Sequence, residues 1–205
     1  MFVPLAIMAI GMLVGILKFQ RLGQAQRSVI ILMGLALLVE VLSLTLSKKS
    51  FNTVFIFHVY APIEYCLLAW VFVKTSFDRR GQKALYLSMA LIFLLAIANL
   101  LFWQSYNELN TNVIIVSSIT LVVISVLSFF RILNKMVYTK IEKSSFFWIN
   151  IGVLTYFSSS IVLFVFGDWL TQLDLEYSIN VWLIHIFFNI IQYLCFNIAL
   201  WMDPE

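Results

Sequence analysis

The stretch NVIIVSSITLVVISVLSFFRIL, Asn112–Leu133, carries no charge before Arg131. It neither alternates with period two nor presents a charged helix face. A run of about 20 residues spans the hydrocarbon layer of a bilayer when helical. Lipid cannot satisfy free backbone N–H and C=O groups, so such a run must be a helix. A transmembrane barrel would need short alternating strands instead.

Six more runs of this kind flank it: Met1–Phe19, Ser28–Leu46, Phe51–Val73, Ala84–Trp103, Ser145–Gly167 and Ile179–Trp201. The composition agrees. Hydrophobic residues make up 62% of the 205 residues and charged residues 11%, against about 45–50% and about 25% in ordinary globular chains. Phe alone occurs 19 times, more apolar surface than a soluble domain of this size could hide. Residues 1–205 therefore read as one all-α integral membrane domain, a seven-helix bundle. The short loops leave no space for a fused soluble kinase, nucleotidase or DNA-binding module.

The cations set an orientation. Lys18, Arg21 and Arg27 follow span 1. Lys74, Arg79, Arg80 and Lys83 follow span 3. Arg131, Lys135, Lys140 and Lys143 follow span 5. Only Lys48 and Lys49 lie on the other side. The positive-inside rule places the N-terminus outside and the C-terminus in the cytoplasm of an inner-membrane protein. Glu108, Asp168, Asp174 and Glu176 fall in outer loops without cations. Trp70, Trp148 and Trp201 fall at inner ends; Trp103, Trp169 and Trp182 fall at or near outer ends, as an aromatic belt requires. Span 1 lacks a preceding cationic region and reads as an uncleaved span rather than a signal peptide. The net charge of +3 suits cytoplasmic loops facing anionic lipid and calls for no nucleic acid. Cys66 and Cys195 lie inside spans and read as packing residues, not a disulfide framework.

Residues 1–74 and 112–201 read as two parallel repeats joined by a linker helix at 84–103, a 3+1+3 arrangement. Asn52–His58 can be laid on Ile179–His185, and Gly34–Glu40 on Gly152–Ser158. Glu64-Tyr65-Cys66 then answers Gln192-Tyr193-Leu194-Cys195. Chance similarity between apolar helices is the alternative. Parallel repeats bring a binding site to their interface, as in small sugar carriers, although the Pro-Gln pair of that group does not occur here.

Glu40, His58, Glu64 and His185 are the ionisable residues deep within spans. Each costs roughly 2.5–3.5 kcal/mol when charged in mid-bilayer, so they should face the bundle interior. At 1.5 Å per residue, Glu40, His58 and His185 all lie about 10 Å below the outer surface, with Glu64 one to two turns deeper. Glu40, Ser43 and Ser47 share one stripe of span 2, and His185, Asn189 and Gln192 one stripe of span 7. Tyr60 and Glu64 share a face of span 3, while His58 and Tyr65 share another. Pro62 lies between them and frees a backbone carbonyl. Asn99, Ser117, Ser118 and Ser158-Ser159-Ser160 add neutral polar groups in the outer half.

These residues predict an outward-facing polar pocket between spans 2, 3 and 7, with Glu40, His58, Tyr60, Glu64, His185, Asn189 and Gln192 as ligand-binding residues. The functional expectation is binding or transport of a small solute. A membrane sensor, or a regulatory subunit with a membrane or cytoplasmic protein partner, is the alternative. A metal-dependent membrane enzyme is a third reading: two Glu and two His could hold a metal, but no short ligand motif such as H-E-x-x-H is present. No cofactor or metal is identified by the sequence. A retinal Schiff base is excluded because span 7 has no Lys, and no G-x-S-x-G occurs. Ser, Asn and Gln can also serve as interhelical glue.

His58-Val59-Tyr60-Ala61-Pro62-Ile63-Glu64-Tyr65, Phe147-Trp148-Ile149-Asn150 leading to Tyr156-Phe157-Ser158, and Ile184-His185 through Asn189 carry a further reading, together with Glu40. With these features most of the chain resembles small bacterial seven-helix integral membrane proteins. The resemblance implies the helix count and brings no activity with it.

Overall fold

A computed structural model describes residues 2–134, 141–166 and 175–202. Among them are seven long helices, each apolar enough to cross a membrane: α1 (Phe2–Lys18), α2 (Gln24–Ser47), α3 (Phe55–Thr75), α4 (Arg79–Phe102), α5 (Thr111–Asn134), α6 (Ser145–Val165) and α7 (Leu175–Trp201). Short connections alternate their direction. The Lys18 ammonium lies over the Trp201 ring at 4.0 Å, so the C-terminal ends of α1 and α7 meet. Gln26 donates to the Ala199 and Met202 carbonyls at 2.7 and 3.0 Å, which brings the start of α2 to the same place. Arg131 donates to the Ser76 carbonyl at 3.1 Å, joining the end of α5 to the α3–α4 turn. This is the basic end of the bundle. At the opposite end Asn52 donates to the Asn107 side chain at 3.2 Å.

Neighbouring helices form a ring in the order α1, α2, α3, α5, α6, α7 and back to α1. α4 lies outside it, packed on α3 and α5. Its buried residues are Leu85, Ile92 and Asn99, a single stripe at seven-residue spacing. The Tyr65 hydroxyl donates to Ser88 at 2.7 Å and fastens α4 to α3.

Packing is densest in the basic half. There Met33, Leu68, Phe72, Ile149, Phe196 and Leu200 are fully buried, and Phe72 meets Phe146 edge to face at 5.6 Å. Three glycines set helix spacing by close approach. A Cβ on Gly11 would collide with the Asn197 amide, which donates to the Ile7 carbonyl at 3.0 Å. A Cβ on Gly15 would press Ile30 at 2.6 Å, and one on Gly152 would meet the Gln192 carbonyl at 3.2 Å. Small residues let apolar helices approach closely where lipid competes equally for apolar side chains. Lys74 lies over Trp70 at 4.4 Å and Arg131 over Phe77 at 4.4 Å, so long cationic stems end on aromatic rings at one level. Lys135, Lys140, Asp168, Trp169 and Asp174 lie outside the described residues.

Candidate functional site

Above the dense basic half the ring encloses a cavity of about 350 Å³. Pro4 and Met8 of α1 form one wall, with Ala36, Val39 and Glu40 of α2. Phe57, Tyr60 and Glu64 come from α3, and Tyr156 from α6. Trp182, His185, Ile186, Asn189 and Tyr193 come from α7. Five ring helices contribute, two more than the sequence reading gave. α4 and α5 contribute nothing.

Each wall follows from helical phase. Tyr60 and Glu64 stand one turn apart, and the Tyr60 hydroxyl donates to the Glu64 carboxyl at 2.9 Å. Glu40 enters from α2 beside Ala36, one turn earlier. On α7 the cavity face runs through Trp182, His185, Asn189 and Tyr193. The Asn189 amide lies beside the hydroxyls of Tyr156 and Tyr193. The His185 ring stacks at a tilt on Tyr156 at 5.1 Å, with Phe164 and Trp182 edge-on at 5.9 and 6.1 Å. Its Nδ1 is buried without a hydrogen-bond partner among the described residues.

No known protein family, curated protein or solved structure matches this chain.

Two expected site residues are turned elsewhere. The His58 Nε2 pairs with the Glu108 carbonyl at 2.8 Å, so the ring ties α3 to the α4–α5 connection and does not line the cavity. His58 and Tyr65 do share a face, but that face meets α4 and its following turn. Gln192 is 2% exposed and packs toward α6 at Gly152. Seven residues on from His185 it holds nearly the same helical phase, two turns deeper, where the close approach of α6 at Gly152 leaves it in the α6–α7 contact rather than in the cavity. Asn99 is buried at the α4–α5 turn, donating to Gln104 and Asn110 at 2.8 Å each and accepting from Asn112 at 2.8 Å. Ser117 and Ser118 are buried on α5. Asn150 donates to the Ser125 carbonyl at 3.1 Å. Asn99 and Asn150 thus join elements, as neutral polar residues do in bundles, whereas the Ser117 hydroxyl donates to the Ile114 carbonyl of its own helix at 3.0 Å.

Tyr156, Tyr193, Trp182 and Phe57 were not singled out as site residues. The spacing Trp182, His185, Asn189, Tyr193 was a usable signal, because it marks one face of α7. For Tyr156 the signal was weaker: Ser159 and Ser160 follow one turn on along α6, but their hydroxyls are spent on the Tyr156 carbonyl at 2.7 and 3.1 Å. Among the described residues no three His, Cys, Asp or Glu side chains gather as a metal site, and His58 lies apart from the two carboxyls.

Proposed function

We propose that this is a multi-pass membrane protein that binds or carries a small solute in the α1–α2–α3–α6–α7 cavity, reached from the outer side. The observation that carries the reading is the meeting of Glu40 and Glu64, from two helices, in one cavity inside an otherwise apolar bundle. Ionisable groups at membrane depth are costly and mark solute or ion sites. The cavity lies in the half away from the basic turns, which the positive-inside rule assigns to the cytoplasm. Site residues are Glu40, Tyr60, Glu64, His185 and Asn189, with Tyr156, Trp182 and Tyr193 completing the walls.

The ring order also suits the two parallel repeats. Exchanging α1, α2 and α3 for α5, α6 and α7 turns the α1–α2 contact into α5–α6, α2–α3 into α6–α7, and α3–α5 into α7–α1. All six contacts occur. α4 would be the linker outside the exchange, and the cavity would lie between the repeats. A sensor is the second reading, favoured by the solid packing of the basic half, which closes the cavity at that end.

A stabilisation screen in lipid nanodiscs tests the proposal with amines, amino acids, sugars and carboxylates as probes. At least one class should raise the melting temperature. Glu40→Gln and Glu64→Gln should weaken that probe about tenfold, the value of one charge-assisted hydrogen bond. No stabilising probe, or undiminished affinity in the double variant, would overturn the site. Uptake of the same probe into proteoliposomes separates carrier from sensor.

A further inference from the structure

His185 borders two spaces. On one side lies the polar cavity; on the other lies a second, larger space of about 660 Å³ between α6 and α7. Leu154, Ser158 and Val162 of α6 form one wall of this groove, and Ile184 and Phe188 of α7 the other. Its rims are open to the bundle surface: Val162 is 60% exposed and Ile184 56%. In a bilayer that surface meets acyl chains. The cavity lining has the opposite character. It holds two carboxyl groups and the rings of Phe57, Tyr60, Tyr156, Trp182 and Tyr193, and among the described residues no Lys or Arg lines it.

We propose that the solute is an aliphatic amine in its ammonium form, its head in the Glu40–Glu64 cavity and its hydrocarbon tail in the α6–α7 groove. This rests on the binding reading above and names its substrate class. An ammonium supplies the countercharge that an ionised carboxylate needs at this depth and that no cavity side chain provides. Aromatic faces attract cations, most strongly where water is scarce. His185 lines both spaces, and its Nδ1, without a partner among the described residues, can accept an N–H from the head. Rejection of anions follows from the same two carboxyls. The groove gives the tail an apolar path that begins in the membrane, so such a ligand can arrive laterally.

Equilibrium binding of radiolabelled methylammonium and n-hexylammonium to the full chain in nanodiscs, corrected with empty nanodiscs, tests this. Unlabelled hexanoate and 1-hexanol serve as competitors. Hexylammonium should bind about tenfold or more tighter than methylammonium, the gain expected if about two of its five additional methylenes are buried in the groove. Ser158→Trp and Ile184→Trp fill the groove from opposite walls. Each should erase the chain-length difference and leave methylammonium affinity in place, and both lie on the exposed side of the groove. Glu64→Gln should weaken both amines about tenfold. Equal affinities for the two amines would sink the tail assignment and leave the cavity standing; ordinary lipid or a second protein copy would then fill the groove. Competition by hexanoate or hexanol as strong as by hexylammonium would sink the cationic head. Binding of another solute class but of neither amine overturns this inference alone, and absence of any bound solute overturns the proposed function with it.

Discussion

Tyr60 and Tyr65 are five residues apart on α3 and do different work. Tyr60 donates to Glu64 inside the cavity at 2.9 Å. Tyr65 is 1% exposed and donates to Ser88 on α4. Tyr60→Phe should lower solute affinity about threefold to tenfold with little change in melting temperature. Tyr65→Phe should leave affinity unchanged and cost about 1 kcal/mol, the measure of an interhelical hydrogen bond in a bundle. Binding isotherms and thermal unfolding of both variants check this contrast; equal effects would show that the two faces of α3 are not separate. The i, i+4 pairing of Tyr60 with Glu64 was legible in the sequence, because both ends lie on one helix. The partner of His58 was not, because the Glu108 carbonyl is set by where the α4–α5 turn lands.

Helix contacts turn on small residues. Gly152 of α6 lies where a Cβ would stand 3.1 Å from Cys195 Cβ and 3.2 Å from the Gln192 carbonyl and Phe196. The backbone oxygen cannot swing away as a side-chain tip can. Gly152→Ala should cost about 1 kcal/mol and Gly152→Leu about 3 kcal/mol, by overpacking. Unfolding midpoints in nanodiscs measure this; a stabilised Leu variant would show that the helices are not in close contact there. Asp78 acts at another boundary. It caps α4 by accepting from Gly81 N–H and receives Arg131 at 3.4 Å. The Gly81 N–H, then Arg131, hold its carboxyl below the usual carboxylate range. Because the folded value is depressed, the contribution is present at neutral pH and fades as pH falls through the carboxylate range. The pair is exposed, so the effect is small.

Across the whole molecule, charge asymmetry and packing asymmetry run together. Cations with aromatic partners ring one end, over the densest packing; the cavity lies toward the other. An alkaline phosphatase reporter fused after Glu205 should be inactive, and one inserted in the α4–α5 turn at Tyr106 should be active. The reverse pattern would invert the proposed orientation and open the cavity to the cytoplasm.

The seven helices follow from the sequence alone, because a bilayer forces every long apolar run into a helix and fixes its length. The presence of Glu40, Glu64 and His185 in the interior rests on the same solvent, which penalises charge on the outside. Which apolar faces pack together is a different matter. Lipid is as apolar as Leu, so hydrophobicity does not distinguish Leu85, buried against the bundle, from Leu87 and Leu91 on the exposed side of α4. The same blindness hid the depth at which α6 closes on α7, so that Gln192 lies against Gly152 instead of in the cavity. Those choices depend on close approach at glycines and on side-chain shape, which exist only once the helices are assembled.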